Sequence, residues 1–229
     1  VTGADSYRLD VSTTSNFVDA NATPFVGRSF PSSGATVTPD VANANNTTKT
    51  ITTNGGSITD ASGLTTRAPS ANAWQTGSGT KYWQIDFDAT GLYDLSISSR
   101  QLSSNTGPRD FKLQYRVGAG AFIDVPSGSI TVLNDSWVSG TVTNLALPTA
   151  CDNQAVLSLR WIMTSNTSVA NATVGAGGTS RIDNIQVKGK APFFVAGYDN
   201  LTVNGLSQLV SGLSAGTTYY YRVRAFSTN

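Results

Sequence analysis

Apolar and polar residues alternate along most of this chain, in short runs separated by clusters of glycine, asparagine and serine. The clearest run is Tyr82 to Phe87, where Trp83, Ile85 and Phe87 fall on one side and Gln84, Asp86 and Asp88 on the other. A period of two marks a half-buried strand. Leu95 and Ile97 open a second run, and Phe111, Leu113, Tyr115 and Val117 form a third. After the Gly118-Ala119-Gly120 turn come Phe122 to Val125, then Ile130 to Leu133, Ser139 to Leu145, Leu157 to Met163 and Arg181 to Val187. The stretch from Val41 to Gly56, rich in Asn and Thr, reads as a surface loop or an edge strand. No segment carries a helical period. The pattern predicts an all-β domain, a sandwich or jelly roll.

The two ends carry the same alternation. Tyr7, Leu9 and Val11 alternate within the opening residues, and the closing residues place Tyr219, Tyr221, Val223 and Ala225 on one face after a turn. Leu213, Gly216, Thr217 and Tyr219 fit an L-x-x-G-T-x-Y corner and resemble the fibronectin type III family, in which such a Tyr hydrogen-bonds back to upstream backbone. Tyr221 to Ala225 resembles the strand after that corner, and Gly3, Ala4 and Tyr7 leading into Leu9 and Val11 resembles the family's third strand. The resemblance implies a partial, split domain made of residues 1–18 and 193–229, with residues 19–192 inserted as a jelly-roll sandwich. Its first two strands and its last are missing, so the 229 residues are expected to be an excerpt of a longer chain. Such a half-sandwich exposes an apolar face.

Four ordered segments of the middle carry a second resemblance. Ser103 to Tyr115, Asn134-Asp135-Ser136-Trp137, Leu159 to Asn166 and Gly177 to Ile185 look like a jelly-roll module of large secreted proteins of the Bacteroidetes type. What this implies is a non-catalytic module, found beside fibronectin type III repeats in adhesins and beside secreted hydrolases and nucleases.

Composition removes most alternatives. The chain holds no His, and every one of its 14 acidic residues is Asp. An imidazole base, a Ser-His or Cys-His pair and a His-ligated metal are thereby excluded. The chain therefore reads as not an enzyme. A net charge of +1, with 13% charged residues, offers no broad field for nucleic acid or an anionic membrane surface. No apolar run approaches the ~20 residues of a spanning helix. The single Cys151 cannot form an internal disulfide and has no nearby His or Lys to activate it, so it reads as a small residue in a loop between strands.

Two residues remain as candidates for chemistry. Asp183 shares parity with Ile185 and Val187, which turns its carboxylate inward, and a buried carboxylate requires an Arg, backbone donors or a cation. A salt bridge to Arg181, Arg109 or Arg100 is the simpler expectation; a structural Ca²⁺ is the other, as in jelly-roll carbohydrate-binding modules with a last-strand Asp. Trp74 lies in the polar stretch Ala71 to Gly77 and offers a flat face for stacking on a sugar ring. Trp83 and Trp161, at core parity, read as packing residues.

The reading is thus a secreted or cell-surface adhesion or structural module that binds a glycan or a surface protein through loops at one end of the jelly roll. Two others stand beside it: an accessory carbohydrate-binding region of a secreted hydrolase or nuclease, and an architectural repeat that meets neighbouring copies or adjacent domains. Leu213, Gly216 and Tyr219 are structural in every version.

Overall fold

A computed structural model of the protein describes residues 4, 6–133 and 136–227. Gly3, from the first resemblance, and Asn134 and Asp135, from the second, lie outside the described residues. Among the described residues, fifteen strands follow in chain order. They begin with β1 (Ser6–Ser12), β2 (Thr23–Arg28), β3 (Val41–Ala42), β4 (Ile51–Thr53) and β5 (Thr59–Ser62). Next are β6 (Arg67–Ala71), β7 (Tyr82–Phe87), β8 (Tyr93–Ser103), β9 (Asp110–Val117) and β10 (Ile123–Thr131). The last are β11 (Gly140–Ala146), β12 (Leu157–Met163), β13 (Ser180–Lys190), β14 (Leu201–Val203) and β15 (Tyr220–Phe226). The helical content among the described residues is one 3-10 turn, Thr149–Cys151. The chain divides into two compact units, Val1–Ala22 with Lys190–Asn229, and Thr23–Gly189.

The larger unit is an all-β jelly-roll sandwich. One sheet runs β10-β9-β12-β7-β4, the other β11-β8-β13-β2-β3, with β6 added beside β13 and β5 beside β6. Alternation decides the inner faces. Trp83, Ile85 and Phe87 of β7, Phe111 and Leu113 of β9, and Leu157, Leu159 and Trp161 of β12 are buried and belong to one hydrophobic cluster. Leu95 and Ile97 of β8 and Ile182, Ile185 and Val187 of β13 belong to it too. Each large side chain so buried contributes roughly 1.5–3 kcal/mol of transfer free energy, which is what clamps the two layers.

Two indoles also tie the layers by hydrogen bonds. Trp83 Nε1–H donates to Ser180 Oγ at 3.1 Å, and Trp161 Nε1–H donates to Ser99 Oγ at 3.0 Å. Each serine stands at an inward position of the facing sheet, so two obligatory donors are satisfied in the middle of the core.

Two expected strands prove to be one. Phe122 to Val125 and Ile130 to Leu133 fall largely within β10, whose register against β9 jumps between Asp124 and Ser129. Pro126, Ser127 and Gly128 form the bulge, with Ser127 at φ 60°, and a bulge interrupts the alternation without ending the strand. The Asn-rich stretch contains β3 and β4, which lie at the ends of their respective sheets.

The smaller unit is a three-stranded antiparallel sheet of order β14-β1-β15. β1 pairs with β15 from Ser6↔Phe226 to Ser12↔Tyr220, and Val18 bridges Pro192, with Asp19 N–H donating to Ala191 O at 2.8 Å. One face buries Leu9 and Val11 with Tyr198 and Val203. The opposite face buries Asp10, which accepts from Arg222 Nε and an Arg224 amine at 2.8 Å each and from Asn200 N–H at 2.7 Å. Gly216 adopts φ 75°, which a side chain would resist, and the turn it permits lets Ser214 N–H donate to Tyr219 Oη at 2.8 Å. Leu213 is half-buried beside this turn.

Candidate functional site

The outer face of the five-stranded sheet follows from the same alternation that builds the core. If odd residues of β7, β9 and β12 point inward, the even ones must point out, and pairing then fixes which of them meet. Gln84 pairs with Thr52 on β4 and with Arg160 on β12; Arg160 pairs with Gln114 on β9; Gln114 pairs with Asp124 on β10. One polar row therefore crosses all five strands.

Hydrogen bonds hold its members in place. Arg160 Nε–H donates to Gln114 Oε1 at 2.8 Å, and Gln114 Nε2–H donates to Asp124 Oδ1 at 2.7 Å. Lys112 Nζ donates to Asp124 Oδ2 at 2.8 Å, and Gln84 Nε2–H to Asp86 Oδ1 at 3.0 Å. In the next row Arg116 donates to Ser158 Oγ at 3.1 Å. Two aromatic rings border the array: the Arg160 guanidinium lies 3.7 Å from the centroid of Phe122 and 5.5 Å from that of Tyr82. Burial lowers the Arg160 pKa from its ordinary value; Tyr82 opposes this and Arg116 adds to it, and the group stays cationic at neutral pH. The face offers fixed donors, fixed carboxylate acceptors and flanking aromatic surface, without a nucleophile paired to a base.

Trp74 requires a correction. It is fully buried, 5.8 Å from Phe111 in an edge-on arrangement and 5.9 Å from Trp83, and its Nε1–H donates to Ala71 O at 2.7 Å. Ala73, at φ 58°, turns the chain so that the indole enters the core while its polar neighbours stay outside. It offers no face to a sugar.

Asp183 is buried, as its neighbours suggested, for a different reason. Asn184 sits at φ 46° and inserts one residue between Ile182 and Ile185, so parity does not run through the strand. The carboxylate accepts from Leu64 N–H at 2.8 Å and Asn184 N–H at 2.7 Å, which closes the turn between β5 and β6. Burial pushes its pKa up; the two N–H donors counter this in part, Asp40 adds to it, and Arg100 opposes it from a distance. Among the described residues it makes no ion pair with Arg181, Arg109 or Arg100, so backbone donors replace the expected salt bridge. Its hydrogen-bond partners are N–H donors, and among the described residues no three His, Cys, Asp or Glu side chains gather around it.

Gln84 was already on the outer side of its run, whereas Arg160 and Gln114 had not been picked out from the spacing. The signal for them was available, because each lies one position from a core residue in a strand whose parity is plain.

No protein-family model and no curated protein matches the chain. Among solved structures it is similar to the N-terminal CBM22-1-CBM22-2 tandem domain of Paenibacillus barcinonensis Xyn10C, with 14% identity, TM-score 0.44, and coverage of 75% of this chain and 47% of that one. The chain thus spans about half the length of that relative. TmCBM61, solved in complex with β-1,4-galactotriose, is 7% identical, with TM-score 0.34 and coverage of 61% and 87%. The K2 cleaved adhesin domain of Lys-gingipain is 14% identical, with TM-score 0.37 and coverage of 70% and 96%. Among the described residues, no helix is long and apolar enough to cross a membrane.

Proposed function

We propose that residues 23–189 form a non-catalytic glycan-binding module of a secreted or cell-surface adhesion protein, with the outer face of the five-stranded sheet as its platform. The observation that carries this reading is the row Thr52, Gln84, Arg160, Gln114 and Asp124. A sugar hydroxyl is both donor and acceptor, so it suits a surface where amide, guanidinium and carboxylate groups alternate a strand-width apart. Mutual hydrogen bonds pre-order these side chains, which lowers the entropy lost when a ligand binds. The rings of Tyr82 and Phe122 add apolar surface for the carbon face of a sugar. Binding at the sheet face takes the place of binding at the loops, since Trp74 lies inside.

Residues 1–18 and 193–229 are, in the same proposal, part of a fibronectin type III-like domain that carries the module. The Tyr219 turn and the pairing of β1 with β15 support this reading.

A glycan array probed with the wild-type chain and with Arg160→Ala tests the module. Wild type is expected to retain a defined set of glycans, and the variant to bind them about tenfold more weakly with an unchanged melting temperature. Retention of the same glycans by Arg160→Ala at equal strength would remove the sheet face from consideration.

A further inference from the structure

Two guanidinium groups on the outer face of the five-stranded sheet share one aromatic ring. Arg160 lies 3.7 Å from the centroid of Phe122 and Arg116 lies 4.6 Å from it, so two cations from the neighbouring strands β12 and β9 are no farther apart than those distances laid end to end. Like charges held this close repel. Each disfavours the charged form of the other, and Arg116 accordingly joins burial in lowering the Arg160 pKa.

The chain itself does not neutralise the pair. Among the described residues neither arginine forms an ion pair. Arg160 gives its Nε–H to the neutral Gln114 amide, and Arg116 gives a terminal amine to the Ser158 hydroxyl while its Nε is buried without a partner. The carboxylates of the same face are engaged elsewhere: Asp124 takes Lys112 on one oxygen and Gln114 on the other, and Asp86 accepts from Gln84. What the face lacks is an anion.

We propose that the ligand of this face is an acidic glycan, whose sugar-borne oxyanion, a uronate carboxylate or a sulfate ester, is held by Arg116 and Arg160 beside Phe122. The inference rests on the glycan reading of the face and adds the class of sugar to it. A planar guanidinium matches two oxygens of either group, and such charge-assisted hydrogen bonds are roughly twice as strong as neutral ones. Arg160 is half-buried, which limits the screening of that attraction by water. A bound anion also relieves the repulsion between the two cations, which a neutral hydroxyl at the same place does not.

Affinity electrophoresis of the 229-residue chain through gels containing polysaccharide tests it, each acidic polymer being set beside its neutralised form. Galacturonan, alginate and glucuronate-bearing xylan are compared with their carboxyl-reduced forms, and sulfated galactans with their desulfated forms. At least one acidic polymer is expected to bind about tenfold more tightly than its neutral counterpart, by a margin that shrinks as salt rises. Loss on carboxyl reduction identifies a uronate, and loss on desulfation a sulfate ester. Arg116→Gln is expected to erase most of the preference and Arg116→Lys to keep part of it, whereas Lys188→Gln, which removes the same charge from the other sheet, leaves it intact. Equal binding of acidic and neutral forms, a preference untouched by Arg116→Gln, or one lost as fully in Lys188→Gln would overturn the inference while the glycan platform stands. Absence of binding to every polymer, neutral ones included, would overturn both.

Discussion

Trp161 and Ser99 meet in the middle of the sandwich, indole N–H to hydroxyl oxygen at 3.0 Å, with both residues almost fully buried. The bond spans the two sheets, so it fixes their register as well as satisfying a donor that has no water to turn to. Replacing Ser99 by Ala leaves that donor orphaned at a cost of roughly 1–3 kcal/mol. All four tryptophans lie in residues 23–189, so their fluorescence reports that unit alone. The urea midpoint followed by tryptophan emission is expected to fall for Ser99→Ala. Combining it with Trp161→Phe should cost less than the two single effects added together.

Asp183 gives the larger unit an opposite pH response from that of most acidic residues. Its folded pKa is raised by burial, so the folded state keeps the proton to higher pH than the unfolded chain does. Stability therefore declines as pH rises from the ordinary value of 3.8 through the raised one, then levels. Asp183→Asn should flatten that slope, whatever it does to the absolute melting temperature. Thermal scans across the acidic range in chelator or in millimolar calcium check both points, and the two media are expected to coincide.

Asp10 behaves in the usual sense. Burial pushes its carboxyl up, but Arg222, the Asn200 N–H and Arg224 together outweigh this and hold it below 3.8. Its contribution is present above 3.8 and fades as pH falls through the lower folded value. Asp10→Ala strips three hydrogen bonds from the smaller sheet and should cost it roughly 1.5–3 kcal/mol. Hydrogen exchange of the β1 and β15 amides is expected to accelerate, with those of β7 and β12 unaffected.

Cys151 is buried, and that burial, with Asp152 beside it, pushes its thiol up to about 12. At pH 8 it stays protonated and shielded. Iodoacetamide is expected to leave it unmodified in the native protein and to alkylate it once urea has unfolded the sandwich.

How far the amino-acid sequence reveals this molecule depends on whether period two survives locally. It survives in β7, β9 and β12, so Trp83, Leu113 and Trp161 could be placed inside from spacing alone, and Arg160 outside had the other parity been followed. It fails where the backbone enters the left-handed region. Ala73 turns Trp74 inward from a polar stretch, Asn184 resets the parity around Asp183, and Ser127 lets one strand pass for two. None of these three is a glycine: Ala73 carries no local signal of its turn, whereas Asn184 is of a type that tolerates the left-handed region and Ser127 stands between Pro126 and Gly128. β2 and β6 escaped notice because each buries four consecutive residues and so shows no period of two, and each pairs with β13, distant in the chain. The ends were easier, since Tyr219 and the alternation at Tyr7, Leu9 and Val11 are local signals.

The β1–β15 ladder sets how the protein would answer mechanical tension. Ser6 faces Phe226 at one end of it, while Ser12, facing Tyr220, leads toward residues 23–189. A pull on the chain at Ser6 and Phe226 meets the rungs one at a time, as in peeling apart two strips of tape. The long sandwich beyond the last rung is a bypassed branch, and any ligand on it stays unstrained until the peel is complete.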